Sequence, residues 1–230
     1  MPTLWYRDET RGELRGTIIC LHGVLSRKEN LHDDCTALAQ AGFLVIAPDA
    51  PYHGDREDKG LLHAVTEGWK GVVIPEYPRP GARIHEQAAR ELPGLVDVAL
   101  AQTPRGVGIW GYSMGGMMAF RAVTIDPRLK AAVCLNATPV LKDTSLNPAE
   151  FPQRFAPCAL MIVNARLDEG IAPDPAREFA QTLKPFYHNM PERLEYVEYE
   201  HSGHYLRPED WADFRQRAAQ WFGKHLSNAA

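Results

Sequence analysis

The sequence predicts an α/β fold, with a central, mostly parallel sheet of seven or eight strands and helices on both faces. Three observations predict it. Short apolar runs recur seven times along the chain. Most are apolar at consecutive rather than alternating positions, the pattern of strands covered on both faces. Helical patterns lie between them, and strand alternating with helix calls for crossover connections. The 230 residues, 45% of them hydrophobic, supply a sizeable core. No repeat, low-complexity tract or linker divides the chain, so 1–230 reads as a single domain.

The runs are "TLWYRD" (3–8), "GTIICLHG" (16–23), "FLVIAPDA" (43–50), "GVGIWGYS" (106–113), "AAVCLNA" (131–137), "ALMIVNA" (159–165) and "LEYVEY" (194–199). Helices are expected at 29–41, 84–102, 114–126, 174–184 and 208–226. From about His53 to Gly81 the chain carries Gly and Pro without clear periodicity. A connection that long is usually functional, or hides short elements of its own.

Composition narrows the function classes. Net charge is −4 with both signs mixed, so neither a nucleic-acid stripe nor a polybasic membrane tail is expected. The apolar runs are far too short to span a bilayer. "MPTLWYRDETRGEL" lacks the apolar core of a signal peptide. Cys20, Cys35, Cys134 and Cys158 are scattered without a CxxC, and Cys20 and Cys134 fall in apolar runs as buried thiols. Reduced thiols and no leader point to the cytoplasm.

The chemistry concentrates in Gly111-Tyr112-Ser113-Met114-Gly115, a G-x-S-x-G where a strand pattern turns into a helix pattern. Such an elbow lifts a serine hydroxyl above the sheet edge, and the flanking residues must be small because strand and helix pass closely. With five serines and eighteen glycines in 230 residues, the motif arises by chance roughly 0.03 times. A serine hydroxyl needs a base. In this arrangement the base follows the serine in the chain. His188 falls before the last strand, on the opposite edge, and His225 is expected on the surface of the final helix. His204 in "EHSGHYL" follows the last strand at its carboxyl end and is preferred to His201. The acid that orients the imidazole should also lie at a strand's carboxyl end. Asp168 in "ALMIVNARLDEGIAP" suits; Glu169 is adjacent, Asp174 reads as a helix N-cap, and Asp126 and Asp143 are less well placed. Two backbone N–H donors should hold an oxyanion, one from Met114 and one from Val24 after His22-Gly23.

"LHGVLSRKEN", "APDAPYHGDRE", "GYSMGG", a loop Asp and "SGHYL" occur in the order of the α/β-hydrolase superfamily. The chain resembles the small bacterial carboxylesterases related to dienelactone-hydrolase and prolyl-oligopeptidase catalytic domains. The resemblance implies an eight-stranded, mostly parallel sheet, serine-esterase activity and no cofactor. Only about fifteen residues precede the strand at 16, so the first antiparallel strands must be short or one is missing. Dienelactone hydrolases use a cysteine nucleophile, and Ser113 here argues against that substrate.

The expected partner is therefore a small-molecule ester; the alternatives are a peptidase or thioesterase with the same triad, or a ligand-binding scaffold without chemistry. Trp69 and Tyr77, in the 53–81 segment with Leu61, Leu62, Val65 and Ile74, are expected over the acyl pocket. Tyr112 and His22 border it, and His22 also braces the oxyanion loop. Asp49, His53, Asp55 and Glu57 form a loop of mutual hydrogen bonds rather than a metal site. Trp211 and Trp221 are read as core packing on the last helix.

Overall fold

The computed structural model describes residues 1–69, 79–141, 144–145 and 147–226. Among the described residues seven strands form one sheet: β1 (Thr3–Tyr6), β2 (Thr17–Leu21), β3 (Leu44–Pro48), β4 (Val107–Tyr112), β5 (Leu129–Leu135), β6 (Ala159–Ala165) and β7 (Leu194–Tyr199). Their order across the sheet is β1-β3-β2-β4-β5-β6-β7. Only β1 runs antiparallel, pairing Thr3 with Pro48 and Tyr6 with Val45. A single four-residue strand thus occupies the edge that the short N-terminal stretch could fill. The six α-helices among the described residues are α1 (His32–Gln40), α2 (Lys59–Trp69), α3 (Arg79–Leu100), α4 (Met114–Ile125), α5 (Asp174–Leu183) and α6 (Pro208–Leu226).

The consecutive apolar residues of the strands divide between two faces because successive side chains point oppositely. Ile19, Ile109, Cys134 and Ile162 pack under α2, α3, α4 and α5. Ile18, Trp110, Val133 and Met161 pack under α1 and α6. Both layers are closed, and this is why alternation is missing from the sequence. All four cysteines are buried and unpaired. Among the described residues no helix is long and apolar enough to cross a membrane.

Four details depart from the sequence reading. The 53–81 stretch contains α2, whose Leu61, Leu62 and Val65 are buried. Gly60 and Gly68 within it interrupt the polar–apolar pattern by which a helix is recognised. The helix expected at 84–102 starts no later than Arg79 and accommodates Pro93. The 29–41 helix begins with a 3₁₀ turn, Lys28–Leu31. His225, expected on the surface, is buried against Trp221 at 4.4 Å between ring centres. Burial lowers its imidazole pKa to about 4.

Candidate active site

Four parallel strands, β2, β4, β6 and β7, end in the loops that make the site. At the end of β4, Ser113 takes φ 55° and ψ −119°. A non-glycine residue there is strained, and it is held because its N–H donates to Leu135 O at 2.8 Å while α4 begins at once. The two flanking glycines are enforced by backbone. A Cβ on Gly111 would stand 2.1 Å from Gly115 O, and one on Gly115 would stand 2.2 Å from Leu21 O. Neither neighbour is a flexible side-chain tip. Gly115→Ala is therefore expected to push α4 away from β2, lowering thermal stability by about 1–3 kcal/mol. Displacing Ser113 by about an ångström should cost on the order of 100-fold in activity. A circular-dichroism melt and an esterase assay check both, and wild-type values for the variant would show that the close approach does not constrain the elbow.

His204 Nε2 lies 3.0 Å from Ser113 Oγ, and His204 Nδ1 lies 2.7 Å from Asp168 Oδ2. Asp168 Oδ1 accepts the backbone N–H groups of Gly170 (2.9 Å) and Ile171 (2.8 Å). The carboxylate is completely buried, whereas the imidazole keeps 27% of its exposure. With Asp168 Oδ1 taken by two backbone donors, Oδ2 accepts the Nδ1–H of His204, which leaves Nε2 to accept from the serine.

Asn136, missed in the sequence, and Tyr112, expected only at the pocket, hold the histidine loop. Asn136 Nδ2 and the Tyr112 hydroxyl both donate to the carbonyl of His204, at 2.7 and 2.8 Å. Asn136 Oδ1 also accepts from Ala165 N–H at 2.8 Å, tying the acid's loop to the histidine's. Asn136 has φ 45°, a conformation asparagine tolerates better than most residues. Its position just past an apolar strand run was the one available signal.

The loop that carries Val24, the expected oxyanion donor, is fastened at both ends. His22 is fully buried; its Nδ1–H donates to Gly23 O at 2.7 Å and its Nε2 accepts from Ala50 N–H at 2.9 Å. Burial lowers its pKa to about 4, so the ring stays neutral. This corrects the expectation that His22 borders the substrate pocket: with no exposed surface and both nitrogens engaged, it only braces the loop. Six residues later Lys28 closes the loop onto Asp49. Asp49 Oδ1 accepts Lys28 N–H at 3.0 Å, and its Oδ2 accepts Lys28 Nζ at 2.7 Å and Asp55 N–H at 3.0 Å. Val24 and Leu25 (φ 56°) span the gap between these anchors. Val24 and Met114 both line the cleft with Ser113. As the first residue of α4, Met114 has an N–H without an intrahelical acceptor.

Burial alone would raise the Asp49 carboxyl, but the hydrogen bonds from Lys28 and Asp55 outweigh it and hold it below the usual range. A lowered native pKa means that this stabilisation is present above the unfolded carboxylate's pKa and is lost as pH falls through the lowered value. Asp49→Asn removes one of the three carboxylates around Lys28 Nζ, leaving Asp55 at 2.6 Å and Glu29 at 3.1 Å, and is expected to destabilise by about 1–3 kcal/mol at neutral pH. Urea unfolding at pH 7 and pH 3 checks this. The deficit should shrink at the lower pH, and an equal deficit at both would remove the ion pair as its cause.

The other expected site residues are placed as follows. Tyr112 borders the cleft, its ring 5.3 Å from that of His204. Tyr77 and the side chain of Trp69 lie outside the described residues, as do Ile74 and Asp143. His201 and His188 are exposed. Asp126 is engaged by Arg128 at 2.8 Å. Asp174 is not an N-cap: it is the first residue of α5 and pairs with Arg177. Trp211, read as packing, also lines the cleft. Among the described residues no group of three His, Cys, Asp or Glu is arranged to hold a metal.

The cleft has a volume of about 810 Å³ and straddles the carboxyl edge of the sheet. On the α4 side its wall is apolar, with Val24, Met117 and Ile171. On the α1 and α6 side it is polar and aromatic, with Asn30, Asp34, Tyr205 and Trp211.

Comparison with known proteins places the chain. "Putative esterase YitV" of Bacillus subtilis is 26% identical over 233 residues, which cover 86% of each protein. Two solved structures share the fold. One, titled a "Putative Dienelactone Hydrolase" from Klebsiella pneumoniae, superposes with a TM-score of 0.74 at 22% identity, covering 98% of this chain and 93% of that one. The Pyrococcus furiosus esterase Pf2001 superposes at 0.69 with 15% identity, covering 97% and 92%. The sequence model described as the Alpha/beta hydrolase family matches residues 18–228, and this chain belongs to that family.

Proposed function

We propose that the protein is a serine hydrolase of small carboxylic esters that works through an acyl-enzyme. The observation that carries this reading is the continuous hydrogen-bonded relay from Ser113 Oγ through His204 to Asp168. Ser113 Oγ attacks the ester carbonyl while its proton passes to His204 Nε2. Negative charge builds on the carbonyl oxygen, and the N–H groups of Val24 and Met114 are its donors. As the tetrahedral centre collapses, the bond to the alcohol oxygen breaks and the imidazolium returns its proton to that oxygen. Water then attacks the acyl-serine, giving its proton to His204, and the carboxylic acid leaves as Ser113 recovers its own. Asp168 keeps the imidazole in the tautomer both halves require and stabilises its charged form.

Short acyl groups suit the α4 side. Each methylene buried against Val24, Met117 and Ile171 gains about 0.8 kcal/mol until the space is full, after which length brings clash. The expected optimum of kcat/KM lies between acetate and about hexanoate in a p-nitrophenyl ester series run beside a thioester and a peptide amide. An optimum at about twelve carbons or beyond would overturn the size argument. A fluorophosphonate probe tests the class: it should label the wild type at Ser113, and a protein that merely binds ligands would stay unlabelled.

A further inference from the structure

We infer that the leaving-group half of the cleft recognises a neutral, hydroxyl-rich alcohol such as a sugar ring, so that the substrate is a short acyl ester of a polyol. This rests on the ester-hydrolase reading above and adds the alcohol's chemistry to it.

The direction of the alcohol follows from the proton. The leaving oxygen must sit beside His204 Nε2 to receive it. The rings that touch the imidazole are Tyr112 and Tyr205, at 5.3 and 5.8 Å, and Trp211 stands edge-on to Tyr112 at 5.7 Å. The alcohol is thus led toward α1 and α6, away from the apolar wall of Met117 and Ile171. Tyr205, in ring contact with His204 and Tyr112, is still 82% exposed, which suits a platform on which a ring can lie.

Deeper in the same half the groups are those that read hydroxyls. Asp34 is buried, and its Oδ1 accepts Trp211 Nε1–H at 3.0 Å and Arg215 Nε–H at 2.6 Å. Burial raises its pKa even so. Asn30, one helical turn earlier and exposed, offers an amide that both donates and accepts. Trp110 lines the same wall at 1% exposure, and its indole N–H has no hydrogen-bond partner among the described residues. That N–H is itself enclosed, so the ring adds aromatic surface to the wall rather than a donor for the ligand.

An aromatic wall with a carboxylate could instead hold a cationic alcohol. Arg215 argues against that. Its guanidinium neutralises Asp34 and also lies 5.9 Å from the Trp211 ring centre, so the cation's place is already taken within the protein.

The test compares kcat/KM for three acetates of primary alcohols, each corrected for its alkaline hydrolysis rate. They are methyl 6-O-acetylglucopyranoside, cyclohexylmethyl acetate, which has the ring without hydroxyls, and acetylcholine. Wild type is expected to prefer the sugar ester over cyclohexylmethyl acetate on the order of tenfold or more, because a site built around hydroxyls is left with unpaired groups by the bare ring. Asn30→Ala and Tyr205→Ala alter exposed side chains and should fold; each is expected to cut that ratio about three- to tenfold. Asp34→Asn should do the same where it folds. A ratio near one in wild type, with simple esters still cleaved, would overturn this inference and leave the ester reading standing. Preference for acetylcholine would overturn it in favour of a cationic alcohol. Failure to cleave any ester would remove the ester reading and this inference together.

Discussion

Ser113→Ala is expected to lower kcat on the order of a million-fold while the protein stays folded. In free energy that is about 8 kcal/mol of transition-state stabilisation. The elbow explains why the fold should survive. The strain at φ 55° belongs to the backbone, and it is held by the N–H bond to Leu135 O and by the close passage of Gly111 and Gly115, none of which involves the hydroxyl. Alanine adopts that conformation no more easily than serine and no less. Only Oγ is lost, and with it the atom 3.0 Å from His204 Nε2. The measurement is single-turnover and steady-state hydrolysis of p-nitrophenyl acetate, with thermal melts of both proteins. Turnover within tenfold of wild type in a folded variant would exclude Ser113 as the nucleophile.

Asp168→Asn is expected to lower kcat on the order of 10⁴-fold, and the structure gives the reason in terms of donors and acceptors. Asp168 Oδ1 accepts two backbone N–H groups, and Oδ2 accepts one N–H from His204. An asparagine must place its oxygen on one side and its amino group on the other. Turning the amino group toward Gly170 and Ile171 opposes it to two donors, whereas turning it toward His204 opposes it to one. The amide therefore presents its amino group to Nδ1, and the imidazole must shift its proton to Nε2 to accept that hydrogen bond. Nε2 then cannot take the serine proton. Asp174→Asn, on an exposed residue paired with Arg177, should stay within about twofold of wild type. A reversed pair of effects would move the acid to Asp174.

The legible parts of this protein were those in which chemistry and periodicity coincide at short range. The elbow could be read because Gly111, Ser113 and Gly115 stand within five residues, and the steric requirement acts across that same interval. The strands could be read because two-sided burial removes alternation. Helix α2 could not, because its buried stripe of Leu61, Leu62 and Val65 is short and two glycines interrupt its surroundings. His225 was misplaced because a histidine reads as polar, while its neighbour Trp221 buries it.

Order along the chain was enough to name the α/β class and to nominate Ser113, Asp168, His204, Val24 and Met114. A parallel sheet sends the carboxyl ends of its strands to one edge, so residues that follow successive strands must approach one another. Which groups then fasten them was decided only by the tertiary structure. Asn136 joins the acid and histidine loops across 29 and 68 residues of sequence. Lys28 and Asp49 meet across 21, and Asp34 and Trp211 across 177. Hydrogen bonds and buried ion pairs act over about 3 Å of space, whatever the separation along the chain, and leave no periodic trace in the sequence. The same reason leaves His22 with its bracing role alone and gives Trp211 a place on the cleft wall besides its packing.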